Sequence, residues 1–221
     1  ERLPAAMAPD TEADRDGCFS GSALELHDGR HVLLYTGVRK LSADDEVQTQ
    51  CLAFGDGMDY TKYDGNPVID ASLLPEGGSA RDFRDPKVWL EPDGSYRLVA
   101  GSLGADESGH ILLYRSDDCL HWELLGDLAR NQGRYGIMWE CPDFFELDGK
   151  DVLLVSPQFM LPEGHEFYSG NGTLCVVGER DGETGELAGE TYRSIDNGID
   201  FYATQTTLTP DGRRVMVEVD A

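Results

Sequence analysis

One plan occurs four times along this chain: a run of mixed or apolar residues, an Asp-Gly pair, and a second apolar run. The pairs are Asp28-Gly29, Asp93-Gly94, Asp148-Gly149 and Asp211-Gly212, and the apolar runs that follow occupy residues 31–35, 96–99, 152–155 and 215–217. Asp-Gly between two such runs marks a tight antiparallel hairpin, because glycine takes up positive φ at no steric cost and aspartate tolerates it. Ser20 precedes Asp28 by the same eight positions that separate Asp85 from Asp93 and Glu140 from Asp148. If the four units are arranged radially, these matching positions face one axis. Two carboxyls and a hydroxyl then meet in a common hollow, and paired carboxyls are what glycosidic bond cleavage needs.

The hairpins recur about every 60 residues, the scale of a propeller blade with elaborated loops. Further strands are expected at residues 47–54, 110–114, 121–124 and 173–177, with Pro and Gly punctuating the gaps. No segment sustains a helical period, and no linker divides the chain. The expected fold is all-β, a β-propeller. A β-sandwich with coincidental turn spacing is the alternative, but it gives no reason for polar residues to recur at one offset.

Acids outnumber bases 42 to 18, a net charge of −24. Such a surface repels nucleic acid and anionic membrane, so neither is expected as a partner. Apolar residues make up 40%, enough for a substantial core. The five cysteines show no Cys-x-x-Cys spacing, and the five histidines form no ligand pattern, so no metal and no disulfide framework are expected. A reducing, cytoplasmic compartment fits that usage. No phosphate loop or complete dinucleotide fingerprint occurs, and no cofactor is implied. Gly17-Cys18-Phe19-Ser20-Gly21 places its serine one position off a nucleophile elbow.

Arg84-Asp85-Pro86 is expected to open an inner strand, since Pro86 cannot donate to a central ladder. Arg84 beside Asp85 would keep that carboxyl ionised, suited to stabilising a cationic transition state; the alternative is a surface ion pair. Glu140 lies among Met138, Trp139, Cys141 and Pro142. An apolar setting suits a proton-donating carboxyl, whereas a half-exposed strand end would carry no chemistry. Cys141 alternates away from Glu140 and is expected to pack, with tuning of the acid as a lesser role. Phe19 and Ser20 suit sugar binding, although packing explains Phe19 equally well. Asp196, Asp200 and Tyr202 are candidates for added polar contacts; Asp200 lies out of register with the eight-residue offset.

Taken in order, Phe19-Ser20-Gly21-Ser22, Arg84-Asp85-Pro86, Glu140-Cys141 and Asp200-Phe201-Tyr202-Ala203 with Gln205 and Gly212-Arg213-Arg214 resemble glycoside hydrolase family 32, the β-fructofuranosidases. Leu3-Pro4-Ala5-Ala6-Met7-Ala8-Pro9 resembles the family's stretch before its Phe-Ser-Gly-Ser motif. The resemblance implies a five-bladed propeller followed by a β-sandwich. It implies Glu140 as general acid/base, Asp85 as transition-state stabiliser, and Phe19 and Ser20 as sugar contacts; Arg84, Cys141, Asp196 and Tyr202 are further substrate-binding candidates. Substrates would be sucrose, its phosphate or fructans. The family's nucleophile, the aspartate of Trp-Met-Asn-Asp-Pro-Asn-Gly, has no counterpart in these 221 residues, and the Gly-Trp-Met expected after the fourth hairpin is replaced by Val217-Glu218-Val219. Residues 1–221 are therefore expected to be a partial propeller of about four blades, without the start of the first blade, the fifth blade or the sandwich. Such a piece would be inactive alone and open to self-association through unpaired sheet edges. A non-catalytic carbohydrate-binding propeller and a five-bladed arabinanase or xylosidase are the alternatives.

Overall fold

The computed structural model describes residues 5–198 and 200–220; Leu3 and Pro4 of the stretch compared above lie outside them. The first sheet is β1 (Gly17–Glu25), β2 (His31–Lys40), β3 (Glu46–Gly55) and β4 (Tyr60–Lys62). The second is β5 (Phe83–Leu90), β6 (Tyr96–Leu103), β7 (Gly109–Ser116) and β8 (Glu123–Arg130). The third is β9 (Trp139–Leu147), β10 (Lys150–Pro157), β11 (Leu174–Arg180) and β12 (Leu187–Ser194). A hairpin of β13 (Phe201–Leu208) and β14 (Arg214–Asp220) begins a fourth. Every sheet is an antiparallel meander in chain order, and the leading strands β1, β5, β9 and β13 touch one another in sequence. This is the expected β-propeller: three complete blades and the inner hairpin of the next. Among the described residues the only helix is the single 3-10 turn Ala71–Leu73, and no helix is long and apolar enough to cross a membrane.

Each Asp-Gly pair closes the first hairpin of its sheet, with Gly29, Gly94, Gly149 and Gly212 all at positive φ near 80°. The strand expected at residues 121–124 begins later, at Glu123, because His121 and Trp122 belong to the turn held by the Asp118 carboxylate. Two edge strands, β4 and β12, carry too little apolar patterning to be read from sequence.

Period-two alternation divides the core in two. On β6 and β7, Leu98, Ala100, Leu112 and Tyr114 face the first sheet, where they meet Val32, Leu34 and Leu52. Their alternates Val99, Ile111 and Leu113 face the third sheet and meet Trp139, Leu153, Val155 and Leu174. The middle sheet is thus apolar on both faces, as a sheet sandwiched between two others must be. The two apolar layers fix the relative placement of β5 and β9.

The inner strands share an interruption. In β5 the ladder passes from Arg84, opposite Gly101, to Lys87, opposite Val99. In β9 it passes from Glu140, opposite Ser156, to Asp143, opposite Leu154. In β13 it passes from Tyr202, opposite Val219, to Gln205, opposite Val217. The first bulged residue of each, Asp85, Cys141 and Ala203, lies at positive φ of 63°, 48° and 55°. In β1 the break falls at Ser20, between Phe19 and Gly21. These pairings correct the offset of eight. Asp85 matches Ser20 and Ala203, but Glu140 matches Arg84, Phe19 and Tyr202, and the register partner of Asp85 is Cys141. The cause is the turn: Leu147 and Lys150 pair directly across Asp148-Gly149, whereas Leu90 and Tyr96 enclose a longer loop. Counting back from the aspartate therefore slips by one residue in the third sheet.

Candidate active site

A bulge re-aims side chains and ends regular pairing, and here it does so at the same height on successive inner strands. Arg84, Glu140 and Tyr202 consequently project together. The Glu140 carboxyl is held from three sides: Arg84 Nε donates to Oε1 at 2.8 Å, Gln158 Nε2 donates to Oε2 at 2.8 Å, and the Tyr202 hydroxyl also donates to Oε2. Arg84 Nη1 is steadied by Gln48 Oε1 at 3.2 Å and Asp82 Oδ1 at 3.4 Å. The side chain of Glu140 remains 16% exposed, so a solute can still reach it. Its sequence neighbours are apolar, but its surroundings are polar. The apolar setting expected for it is not what the fold supplies, because Trp139 turns into the core while the bulge carries Glu140 toward Arg84 and Tyr202 of the adjacent blades.

Asp85 lies beside this group and is only 7% exposed. Its Oδ2 accepts from the Cys141 amide at 2.9 Å and lies 3.6 Å from the Cys141 thiol. Its own amide donates to Thr36 Oγ1 at 2.9 Å. Burial raises the Asp85 pKa above the usual carboxylate range; the Cys141 amide opposes this, the charge of Glu140 adds to it, and Arg84 opposes it again. The expected Arg84–Asp85 pair is therefore replaced: adjacent residues on an extended strand point apart, and the guanidinium bonds Glu140 across the blades instead. For the same reason Cys141 touches Asp85, not Glu140. Burial first, then the Asp85 charge, pushes the Cys141 thiol far up, so it is protonated at neutral pH.

Arg84, Asp85, Glu140, Cys141 and Tyr202 are thus brought together. Phe19 is 45% exposed on the matching bulge of β1, and Ser20 contributes its carbonyl to Thr36 at 3.3 Å. Asp196 does not join: its carboxylate accepts from Gly198 N and its carbonyl from the Ser194 hydroxyl, closing the turn after β12. Asp200 is exposed. Among the described residues no group of three or more His, Cys, Asp or Glu could hold a metal.

Several contributors were not singled out from sequence. Gln158 grips Glu140. Thr36 donates to Gln50 Oε1 at 3.1 Å, and fully buried Gln50 donates to Phe83 O at 2.9 Å, which sets the start of β5. Lys87 Nζ lies 3.0 Å from buried Asp143 and 3.1 Å from Gln205 Oε1, tying three inner strands together. Their signal is a polar residue inside an apolar strand, as Thr36 and Ser156 are. A buried polar group needs a partner, but sequence does not say which.

The family model for the N-terminal domain of the glycosyl hydrolases family 32 matches residues 1–219. The chain is 37% identical over 218 residues to a sucrose-6-phosphate hydrolase of Klebsiella pneumoniae, covering 97% of this chain and 45% of that protein. It is 39% identical over 218 residues to a raffinose invertase of Escherichia coli, covering 96% and 44%. A solved Bombyx mori GH32 beta-fructofuranosidase superposes with a TM-score of 0.86 at 42% identity, over 97% of this chain and 44% of that one. The chain spans less than half the length of each of these proteins. With the propeller sheets, the Arg-Asp-Pro and Glu-Cys bulges and a match along nearly every residue, the chain belongs to glycosyl hydrolase family 32.

Proposed function

We propose that this chain forms part of the sugar-binding hollow of a retaining β-fructofuranosidase acting on sucrose, sucrose phosphate or fructans. The observation that supports this best is the three-donor grip of Arg84, Gln158 and Tyr202 on Glu140, set against the buried carboxyl of Asp85. Glu140, fixed in place and plane yet open to solvent, protonates the leaving oxygen and afterwards takes a proton from water. Asp85 faces the sugar ring with one oxygen and stabilises the positive charge that builds up there. A second carboxylate must attack the anomeric carbon, and the motif implied for it is not among the 221 residues. The polypeptide of these residues alone is expected to leave sucrose intact. Phe19, Ser20 and Tyr202 line the fructosyl side.

The test is a substrate panel of sucrose, sucrose 6-phosphate, inulin-type fructan, arabinan and xylan, run on the intact gene product. Release of fructose that Glu140→Ala reduces by about 10³-fold or more agrees with the proposal. Binding of sucrose without turnover would favour a carbohydrate-binding protein, and cleavage confined to arabinan or xylan would reassign the substrate.

A further inference from the structure

The bulged strands β5, β9 and β13 each present one amide to the preceding sheet, from Asp85, Cys141 and Ala203. Two of the three are met alike. Thr36 on β2 and Ser156 on β10 occupy the same ladder position, opposite Phe19 and Glu140, and their hydroxyls accept from the Asp85 and Ala203 amides at 2.9 Å each. The middle junction differs. The corresponding position, opposite Arg84, is Gly101, which has no hydroxyl to offer. The Cys141 amide bonds Asp85 Oδ2 instead. A buried amide must find an acceptor, so the missing hydroxyl assigns that task to the carboxylate.

Gly101 acts a second time through space. A Cβ built on it would lie 2.4 Å from the carbonyl oxygen of Trp139, the residue before Glu140. Only glycine lets the start of β9 approach β6 this closely.

We propose that Gly101 is a positioning residue of the active site. By withholding the hydroxyl that the other junctions supply, it commits the Cys141 amide to Asp85 Oδ2 and orients the carboxyl with Oδ1 free for the sugar. By admitting the Trp139 carbonyl, it sets where Glu140 stands. The functional part of this assignment rests on the reading of Asp85 and Glu140 given above.

The decisive variant is Gly101→Ser in the intact gene product, which restores the hydroxyl found at Thr36 and Ser156. Turnover is expected to fall by about ten- to a hundredfold, in kcat more than in KM, because a misplaced carboxyl costs transition-state stabilisation. Gly101→Ser combined with Asp85→Asn is expected to lose clearly less than the product of the two single losses, since one of the two routes by which Gly101 acts runs through Asp85. Losses that multiply would overturn the assignment. A measurement independent of whether Gly101→Ser folds is amide hydrogen exchange in Asp85→Ala. With no substitute acceptor at position 101, the Cys141 amide is expected to exchange at least about tenfold faster than in the native protein. Unchanged exchange there would refute the proposal. If instead Asp85→Asn left turnover intact, the catalytic reading of Asp85 would fall, and Cys141 exchange would still decide the role of Gly101.

Discussion

Two buried carboxylates in this molecule behave oppositely. Asp14, just before β1, has a fully buried side chain; it accepts from Thr11 N and Oγ1 at 2.9 and 2.8 Å and from Tyr35 Oη at 2.7 Å, and it pairs with Lys62. Burial alone would raise its pKa, but Lys62, Tyr35 and Thr11 more than reverse that and hold it well below the usual carboxylate range. Asp85 is nearly as buried, yet it has one amide, one thiol and a like charge beside it, and its pKa is raised. Asp14 is a fastening: it ties the segment ahead of β1 to β2 and β4. Asp85 is kept short of partners, which costs stability and leaves an oxygen available. A buried acid that its surroundings satisfy belongs to the fold, and one that they leave wanting is a candidate for chemistry.

Neutralising each acid separates these roles most sharply. Asp85→Asn in the intact gene product is expected to lower turnover of the fructosyl substrate by about 10²–10³-fold, as loss of a preorganised transition-state contact does. It is expected not to lower stability at neutral pH. A carboxyl whose pKa is raised on folding favours the native state below its ordinary pKa, and that contribution disappears as pH rises through the folded value; asparagine removes the cost and tolerates the positive φ. Asp14→Ala is expected to do the reverse. Removing the carboxylate leaves the buried Tyr35 hydroxyl and the Thr11 amide without their acceptor and Lys62 with Asp10 as its one remaining acidic partner, at a cost of about 3 kcal/mol, read as a shift in denaturant midpoint, with kcat unchanged. If Asp85→Asn destabilised the protein as much as Asp14→Ala while sparing turnover, the contrast between them would be void.

Acid titration sharpens the contrast at smaller effect. A pKa lowered on folding contributes stability that is present above the ordinary value of 3.8 and is lost as pH falls through the folded value. Asp14→Asn is therefore expected to flatten the acid limb of the stability profile below about pH 4, whereas Asp85→Asn leaves that limb at least as steep. Thermal midpoints collected between pH 2 and 7 give the comparison directly.

The sequence spoke clearly for hairpins and poorly for contacts across sheets. Asp-Gly turns and alternating strands are local, and all four hairpins lie where their residues indicate. The eight-residue count brought Asp85 and Glu140 into one cluster although they are not register equivalents, because a two-residue turn in the third sheet offsets the count by one. What sequence could not supply was direction. Arg84 stands next to Asp85 in the chain and bonds Glu140 in space. Cys141 stands next to Glu140 and bonds Asp85. Each follows from strand alternation together with a bulge whose position no residue announces. Asp14 gave no signal either, since nothing near it in sequence reveals that Lys62 and Tyr35 will fold over it.

The weakest expected effect concerns an acid whose partner can itself lose charge. His110 lies between Asp127, 2.8 Å from Nδ1, and Asp106, 3.1 Å from Nε2, with Arg130 also bonded to Asp127. The hydrogen bond to Asp127 raises the His110 pKa; burial opposes it, and the charges of Asp127 and Asp106 add to it. A base whose pKa is raised on folding contributes stability that is complete below its ordinary value of 6.5 and fades as pH rises through the folded value. Stability is thus expected to decline modestly on the alkaline side of neutrality, and His110→Gln is expected to remove that slope while lowering stability at pH 6. Lys62, by contrast, keeps its charge across this range, because Asp10 and Asp14 raise its pKa against the pull of burial. Asp14→Asn should accordingly leave the alkaline slope as it is. Thermal midpoints between pH 6 and 9 for the two variants side by side test this, and a slope that survives His110→Gln but vanishes in Asp14→Asn would assign the titrating base to the wrong cluster.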